Sequence, residues 1–191
     1  WQRPRRPGAH APPRSALLTL ARAYLDLADR IARQLHPPAC VVVRGLSGTG
    51  KSTLAAALAE KLGALHLQTD LIRKRLFPGA NATSYGQGCY TSAARRLVYD
   101  AMFAQAREAL AQGKPVVLDG TFLSAASRRT VIEIAAKHGT TAAILSCSCP
   151  QEIATERLAT RATQGATASD ATVSTRQYQA IDEEPDPAGV N

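Results

Sequence analysis

The sequence lacks several features that would each point to a specific class of protein. No apolar run in its 191 residues approaches the ~20 needed to cross a bilayer, so we expect no membrane span. Its four histidines are scattered through separate segments and indicate neither a metal cluster nor a catalytic dyad. The cysteines have no metal-ligand spacing and are expected to be reduced core thiols: Cys40, Cys89, Cys147 and Cys149.

Composition and charge indicate one ordinary globular domain preceded by a basic leader. Hydrophobic residues make up 45% of the chain and charged residues 20%. The net charge is +8, but residues 1–36 hold seven Arg against two Asp, which leaves 16 basic and 13 acidic residues elsewhere. A basic leader is more often a solvated linker than a nucleic-acid arm, so nucleic acid is not the expected partner.

One glycine-rich segment fits the phosphate-binding loop pattern G-x-x-x-x-G-K-[ST] at every fixed position. It reads GLSGTGKST over Gly45–Thr53, after an apolar stretch typical of a strand and before a stretch typical of a helix. Backbone N–H groups from Gly48 to Thr53 can then surround an anion, and the helix adds the positive end of its dipole. The sequence therefore predicts a nucleoside triphosphate site whose candidate binding residues are Gly45, Gly48, Thr49, Gly50, Lys51, Ser52 and Thr53.

The remaining chain divides into three predicted parts. Residues 1–14 have linker composition and are expected to be disordered; they begin with Trp and lack a secretory apolar core, so we expect a piece of a longer chain. Residues 15–36 have the periodicity of a helix that packs beside the sheet. Residues 37–191 should form a three-layer α/β domain with a parallel sheet, with strands over 40–44, 64–69, 115–118 and 141–147. A loop is expected over 78–88, a helix from Ser124 to His138, and a short helix through Ile181 that Asp170 can cap.

Two aspartates are expected at the carboxyl ends of these strands, where open parallel sheets bind ligands. Asp119 fits a carboxylate that holds Mg²⁺ together with the Ser52 hydroxyl, although Asp is also common in turns after strands. Asp70 fits a catalytic group that accepts the proton of an attacking hydroxyl, although it could equally be the N-cap of the next helix. Thr121 is grouped with Asp70 as a candidate substrate residue.

Three arginines are candidates for binding charge near the transferred group. Arg73 lies one helical turn after Asp70 and could hold a polar or anionic acceptor; alone it is as often a surface charge. Arg157 and Arg161 lie four residues apart on a helix over 150–163, before a small-residue loop at 164–169. They suit a lid that closes on a triphosphate, the alternative being a solvated helix face. We count Lys51, Asp70, Arg157 and Arg161 as the catalytic candidates.

These segments together resemble a known family of kinases. The loop GLSGTGKST, Thr69–Arg73, Val117–Phe122 and the Arg157/Arg161 lid look like the small phosphate-loop kinases of the zeta-toxin and polynucleotide-kinase-like group. Within it, the chain most resembles ATP-binding domains fused to aminoglycoside-phosphotransferase-like domains. The resemblance implies the P-loop NTPase fold, a helical lid, and ATP and Mg²⁺ as nucleotide and metal. Such kinases usually add a fifth strand after the lid, which we expect this chain to lack.

The predicted function is an ATP-dependent, cytoplasmic kinase that phosphorylates a hydroxyl of an unidentified small molecule. A GTPase is disfavoured because no N-K-x-D stretch occurs, and a transport ATPase because no transport signature follows the loop. Two alternatives stay open: a polynucleotide 5′-hydroxyl kinase and a non-catalytic nucleotide-binding regulatory module. The expected partners are ATP, a hydroxyl-bearing acceptor and a fused or adjacent phosphotransferase-like domain.

Overall fold

Parallel strands carry the site-bearing loops in the computed structural model, which describes residues 18–19, 21–27, 39–79, 86–164 and 171–185. Within these residues four strands form one sheet in the order β2-β3-β1-β4. They are β1 (Cys40–Arg44), β2 (Leu65–Gln68), β3 (Val116–Asp119) and β4 (Ala142–Ser146). Each predicted strand agrees with the observed one to within a residue at either end, and the predicted α/β fold is confirmed. The described residues contain no fifth strand.

Helices connect the strands and cover both faces of the sheet. They are α1 (Lys51–Leu62), α2 (Thr69–Leu76), α3 (Ser92–Ala111), α4 (Ala125–Lys137), α5 (Gln151–Gln164) and α6 (Val173–Asp182). Ser124 caps α4 by accepting from the Ala126 N–H, where the sequence predicts that helix to start. No helix in the described ranges has the length and apolar content that crossing a bilayer requires.

The start of α6 corrects one sequence-based expectation. Asp170 was expected to cap this helix, but α6 begins at Val173 and its N-cap is Thr172. Thr172 and Thr175 exchange side-chain and backbone hydrogen bonds in a capping box, which satisfies the first-turn donors without a carboxylate. Asp170 itself lies outside the described residues.

The leading segment is only partly described. Residues 18–19 and 21–27 are helical, as predicted for 15–36, but their side chains are exposed except for the half-buried Leu25. The expectation that this helix packs beside the sheet is therefore not met in its described part. The predicted linker over 1–14 and most of the loops predicted at 78–88 and 164–169 lie outside the described residues.

The sheet has one hydrophobic core on each face, which gives the three layers. Alternate residues of the buried strands point to opposite faces. Cys40, Val42, Val116 and Leu118 pack with residues of α3 and α4, whereas Val41, Val43 and Val117 pack with Ala55, Leu58 and Ala59 of α1. The carboxyl end of every strand then opens at the same edge, where the phosphate-binding loop lies.

The segment after α6 is held to this body by a buried arginine. Arg128 of α4 is 0% exposed and donates to the carbonyls of Phe122, Leu123, Glu184 and Pro185. The Glu184 carboxylate in turn accepts from the Ala125 N–H at the start of α4. Residues 183–185 are thus packed on the domain, a contact that their acidic, proline-containing sequence does not indicate.

We expect Arg128→Met to lower the free energy of unfolding by at least about 3 kcal/mol, because it leaves several buried carbonyls without their donor. Urea denaturation measures the loss. Arg129→Met is the matched control, since Arg129 is the exposed neighbour on the same helix and a surface change costs about 0.5 kcal/mol or less. Equal losses for the two variants would contradict this role for Arg128.

Candidate active site

The loop Gly45–Thr53 has the tight backbone that its glycines predict. Gly45 has φ +145°, and a Cβ there would lie 2.4 Å from the Cys147 carbonyl oxygen after β4. At Gly48, where φ is +86°, a Cβ would lie 2.9 Å from the Ala154 carbonyl oxygen in α5. Any side chain at these two positions would collide with fixed backbone, so glycine is needed for the loop to pass between β4 and α5.

The loop presents backbone donors at the start of α1. The Thr49 N–H donates to the Leu46 carbonyl at 3.4 Å, and the Thr53 N–H donates to Gly50 at 3.1 Å. Gly50 is the N-cap residue and supplies no side-chain acceptor, and the first turn of α1 holds no acidic residue. The N–H groups of Gly48, Gly50, Lys51 and Ser52 are therefore the natural donors for an anion, at the positive end of the helix dipole.

Lys51 acts electrostatically on Cys147, which follows β4. Burial raises the pKa of the Cys147 thiol, and the Lys51 ammonium opposes that rise while Asp119 adds to it. Lys51 and Asp119 are therefore each within electrostatic reach of Cys147. The lysine is half-buried and the neighbouring Ser52 is exposed, so both side chains are accessible to a ligand at the loop.

Asp119 is the last residue of β3, and one of its carboxylate oxygens has no hydrogen-bond partner among the described residues. The residue is 3% exposed, and its Oδ1 has no hydrogen-bond partner among the described residues, while its Oδ2 lies 3.6 Å from His66 Nε2. A buried oxygen of this kind indicates a missing ligand, since buried polar groups are normally paired. In the described part of the chain no cluster of three or more His, Cys, Asp or Glu could hold a metal alone.

Asp70 and Arg73 form an ion pair at the adjacent strand. Gln68 is in register with Asp119 and is the N-cap of α2, so Asp70, two residues later, lies in the first turn of α2 at the same edge of the sheet. An Arg73 Nη1 donates to Asp70 Oδ1 at 2.5 Å, and the guanidinium lies 4.5 Å from the centre of the Tyr90 ring. Burial lowers the pKa of Arg73, but the charge and hydrogen bond of Asp70, together with Tyr90 and Tyr99, outweigh that effect, so the net shift is upward and the arginine stays charged. The Asp70 side chain remains 27% exposed and accessible to a substrate.

Thr121 is placed by a tyrosine that the sequence did not single out. The Tyr99 hydroxyl of α3 accepts from the Phe122 N–H at 2.8 Å and lies 3.5 Å from Thr121 Oγ1. Phe122 has φ +46°, a strained backbone for a bulky residue, and this hydrogen bond helps to hold it. Burial raises the pKa of Tyr99, so its hydroxyl stays protonated at neutral pH.

Gly120 is packed closely against Thr69, and a substitution there tests whether this packing positions Asp119 and Thr121. A Cβ at this position would lie 2.8 Å from Thr69 Cγ2. We expect Gly120→Ala to lower the melting temperature and to displace Asp119 and Thr121. Adding Thr69→Ser removes the clashing methyl group and should restore part of the loss, a non-additivity expected of residues in contact. Thermal melts of the two single variants and the double variant measure this; strictly additive losses would contradict it.

The two lid arginines differ in how close they lie to the phosphate-binding loop. Arg157 Nη1 lies 3.4 Å from the Gly48 carbonyl, a long hydrogen bond, and is close to Gly50. Arg161, one turn later on α5, is half-buried, and none of the contacts described here joins it to the loop.

Several residues at the site were missed by sequence reasoning. His66, to which no chemistry was assigned, lies beside Asp119, and the last residue of β1, Arg44, is 5% exposed and pairs with Glu183. From α6, Arg176 and Gln179 contact Ser47 in the loop. A charged residue ending an otherwise apolar strand was a usable signal for Arg44; no sequence signal pointed to the others.

A family model described as an AAA domain matches residues 40–182 of the chain. Three uncharacterized proteins, one from Mycobacterium bovis and two from strains of Mycobacterium tuberculosis, are 34% identical to it over 125 residues. Those residues are 63% of this chain and 25% of each relative, so the chain spans a quarter of the length of the curated relatives it matches.

Solved structures of P-loop kinases share the fold. A gluconokinase from Sinorhizobium meliloti is 27% identical with a TM-score of 0.52, covering 80% of this chain and 78% of its own. A sugar kinase from Janibacter is 19% identical with a TM-score of 0.59, covering 81% and 83%. A chain of the Pnkp1/Rnl/Hen1 RNA repair complex is 17% identical with a TM-score of 0.59, covering 77% and 44%.

Proposed function

The chain belongs to the AAA domain family, and on that premise we propose that it is an ATP-dependent kinase that phosphorylates a hydroxyl of a small molecule. One observation carries the proposal. The phosphate-binding loop, whose backbone N–H donors have no side-chain cap, lies at the same edge of the sheet as two carboxylates with different surroundings. Asp119 is buried with an unpaired oxygen, whereas Asp70 is partly exposed and paired with Arg73. Phosphoryl transfer needs these two kinds of carboxylate, one for a metal and one for the acceptor.

The phosphate side of the site would be served by the loop. The N–H groups of Gly48, Gly50, Lys51 and Ser52 would surround the β and γ phosphates, and Lys51 would add a positive charge. The Ser52 hydroxyl and Asp119 would hold Mg²⁺, directly or through water. Bound there, Mg²⁺ would neutralise phosphate charge and orient the triphosphate. Arg157, already at Gly48, and Arg161 would approach the transferred group when α5 closes.

The acceptor side would be built by Asp70, Arg73 and Thr121. The acceptor hydroxyl oxygen forms a bond to the γ-phosphorus as the bond from that phosphorus to the bridging oxygen of ADP breaks, and the hydroxyl proton passes to Asp70. Arg73 orients the Asp70 carboxylate through their ion pair. Tyr99 holds the backbone that follows Thr121, and the Thr121 hydroxyl would contact the acceptor.

The acceptor class is proposed from the charge of the site and from one relative. Asp70 beside Arg73 suits a neutral, hydroxyl-rich molecule or a small acid, because the arginine charge is already partly balanced. The structural likeness to a gluconokinase, whose name describes a kinase of a polyhydroxy acid, supports that class. The likeness to the RNA repair chain is too low in identity to favour a polynucleotide acceptor.

The proposal includes a position within a longer protein. We propose kinship with the zeta-toxin and polynucleotide-kinase-like group and a neighbouring aminoglycoside-phosphotransferase-like domain. The curated relatives are long enough for further domains, since the match covers only 25% of them. We also propose a cytoplasmic location, because the four cysteines are free thiols and thiols persist in reducing compartments.

A label-transfer screen tests the proposal. Purified protein is incubated with γ-labelled ATP and Mg²⁺ in three arms: a panel of sugars and sugar acids, a 5′-hydroxyl oligonucleotide, and no acceptor. We expect label on a member of the small-molecule panel and slow release of phosphate without an acceptor. Label on the oligonucleotide alone would favour the polynucleotide kinase. MgATP binding without transfer in any arm would favour the regulatory module.

A further inference from the structure

The first half of the phosphate-binding loop is held by two side chains from the last helix. The Ser47 N–H donates to Gln179 Oε1 at 2.9 Å, and Arg176 Nη1 donates to the Ser47 carbonyl at 2.8 Å. Ser47 and Gln179 are 4% and 7% exposed, so the contacts are shielded from water. Arg176 and Gln179 are one helical turn apart and therefore reach the same residue from one face of α6.

These two hydrogen bonds fix the direction of the first anion donor in the loop. The Ser47 carbonyl and the Gly48 N–H belong to the same peptide group, which is planar and trans, so they point in opposite directions. While Arg176 holds the carbonyl toward α6, the Gly48 N–H must point away from α6. Gln179 holds the preceding peptide group through the Ser47 N–H, so rotation on both sides of Ser47 is restricted.

Glycine makes this restraint necessary. Gly48 has φ +86°, and glycine loses more conformational freedom on ordering than other residues. The side-chain contacts to the Gly48 carbonyl are weaker, since Arg157 reaches it at 3.4 Å, near the limit of a hydrogen bond, and the Cys149 thiol at 3.8 Å. Without α6, the loop would have to order its glycines when the ligand binds.

The helix that holds Ser47 is capped at its N-terminus and anchored to the domain at its C-terminus. Thr172 and Thr175 form its capping box, and Asp182 pairs with Arg95 of α3 at 3.2 Å. Beyond it, Glu183 pairs with the buried Arg44, and Arg128 holds the carbonyls of Glu184 and Pro185. Arg176 and Gln179 are therefore presented from a fixed support to the loop.

We infer that Arg176 and Gln179 are positioning residues that preset the phosphate-binding loop for its nucleotide by fixing the peptide groups on both sides of Ser47. This inference rests on the proposed function, because it assigns the preset loop to nucleotide binding. A loop ordered in advance pays no ordering cost on binding, and losing that order weakens affinity.

Two variants remove the contacts without touching the proposed nucleotide contacts. Gln179→Leu removes the acceptor of the Ser47 N–H and changes no charge, and Arg176→Met removes the donor to the Ser47 carbonyl. Arg176→Lys keeps a positive donor and is the conservative variant. Arg95→Ala is the matched control, because it breaks the pair to Asp182 that anchors the same helix but does not contact the loop.

Two measurements read out the effect at a temperature where all variants are folded. Calorimetric titration of MgATP should give a dissociation constant about tenfold higher for Gln179→Leu and Arg176→Met, an intermediate value for Arg176→Lys, and an unchanged value for Arg95→Ala. Without nucleotide, the Gly48 amide resonance in a ¹⁵N correlation spectrum should broaden in Gln179→Leu and Arg176→Met and stay sharp in Arg95→Ala.

The outcomes separate this inference from the function it rests on. Wild-type protein that fails to bind MgATP would overturn the proposed function, while the Gly48 resonance would still report whether α6 orders the loop. Unchanged affinity and an unchanged Gly48 resonance in both contact variants would overturn the inference. Equal weakening by Arg95→Ala would also overturn it, since the helix would then act only through general stability.

Discussion

Lys51→Ala is expected to lower ATP turnover by on the order of 10² or more, because it removes a cation from the place where charge develops on the transferred group. The fold should stay intact, since Lys51 is only half-buried and contributes no atom to either hydrophobic core. Steady-state turnover of ATP and a thermal melt measure the two effects.

Lys61→Ala is the control for the loss of a lysine from the same helix. Lys61 is exposed in the last turn of α1, at the opposite end from the loop. Its removal should leave turnover unchanged. Normal turnover in Lys51→Ala would contradict the kinase proposal, and a large drop in its melting temperature would show that the lysine has a structural role instead.

Asp119→Asn and Asp70→Asn should each abolish most phosphoryl transfer, but for different reasons. Asp119 is buried with an unpartnered oxygen at the loop, so its variant should weaken magnesium-dependent ATP binding. Asp70 is partly exposed and pairs with Arg73, so its variant should bind MgATP almost normally and lose the group that accepts the hydroxyl proton. General-base loss typically costs about 10² to 10⁴ in rate.

Calorimetric titration of ATP into both variants, with and without Mg²⁺, separates these two roles. Asp100→Asn is a suitable control, because Asp100 is exposed on α3. If Asp70→Asn loses MgATP affinity while Asp119→Asn keeps it, the two carboxylates have been assigned in the wrong order.

The four strands and the phosphate-binding loop could be predicted, because each is determined by a short local stretch of sequence. Short apolar runs ended by turn residues located the four strands, and the pattern from Gly45 to Thr53 located the loop between β1 and α1. Because parallel strands end at one edge, the proximity of Asp70 and Asp119 followed without any knowledge of their contacts. The register of Asp119 with Gln68 and Val43 is consistent with that placement.

The contacts that hold the site together could not be predicted, since they join residues far apart in sequence. The Arg44 pair with Glu183 spans 139 positions, and the Ser47 contact with Gln179 spans 132. Each involves a polar side chain that would be unremarkable on a surface, and only folding buries it. The cap of α6 was misassigned for a local reason, because Thr172 and Asp170 are both good N-caps and the sequence does not choose between them.

The proposed function requires that the loop at the start of α1 and Asp119 together form a Mg²⁺–nucleotide site. A crystal structure with MgADP is the decisive test. We expect the β-phosphate within hydrogen-bond distance of the Gly50, Lys51 and Ser52 N–H groups, with Mg²⁺ about 2.1 Å from Ser52 Oγ and linked to Asp119 directly or through one water. A nucleotide bound elsewhere, or a metal that contacts neither Ser52 nor the Asp119 side, would contradict the claim.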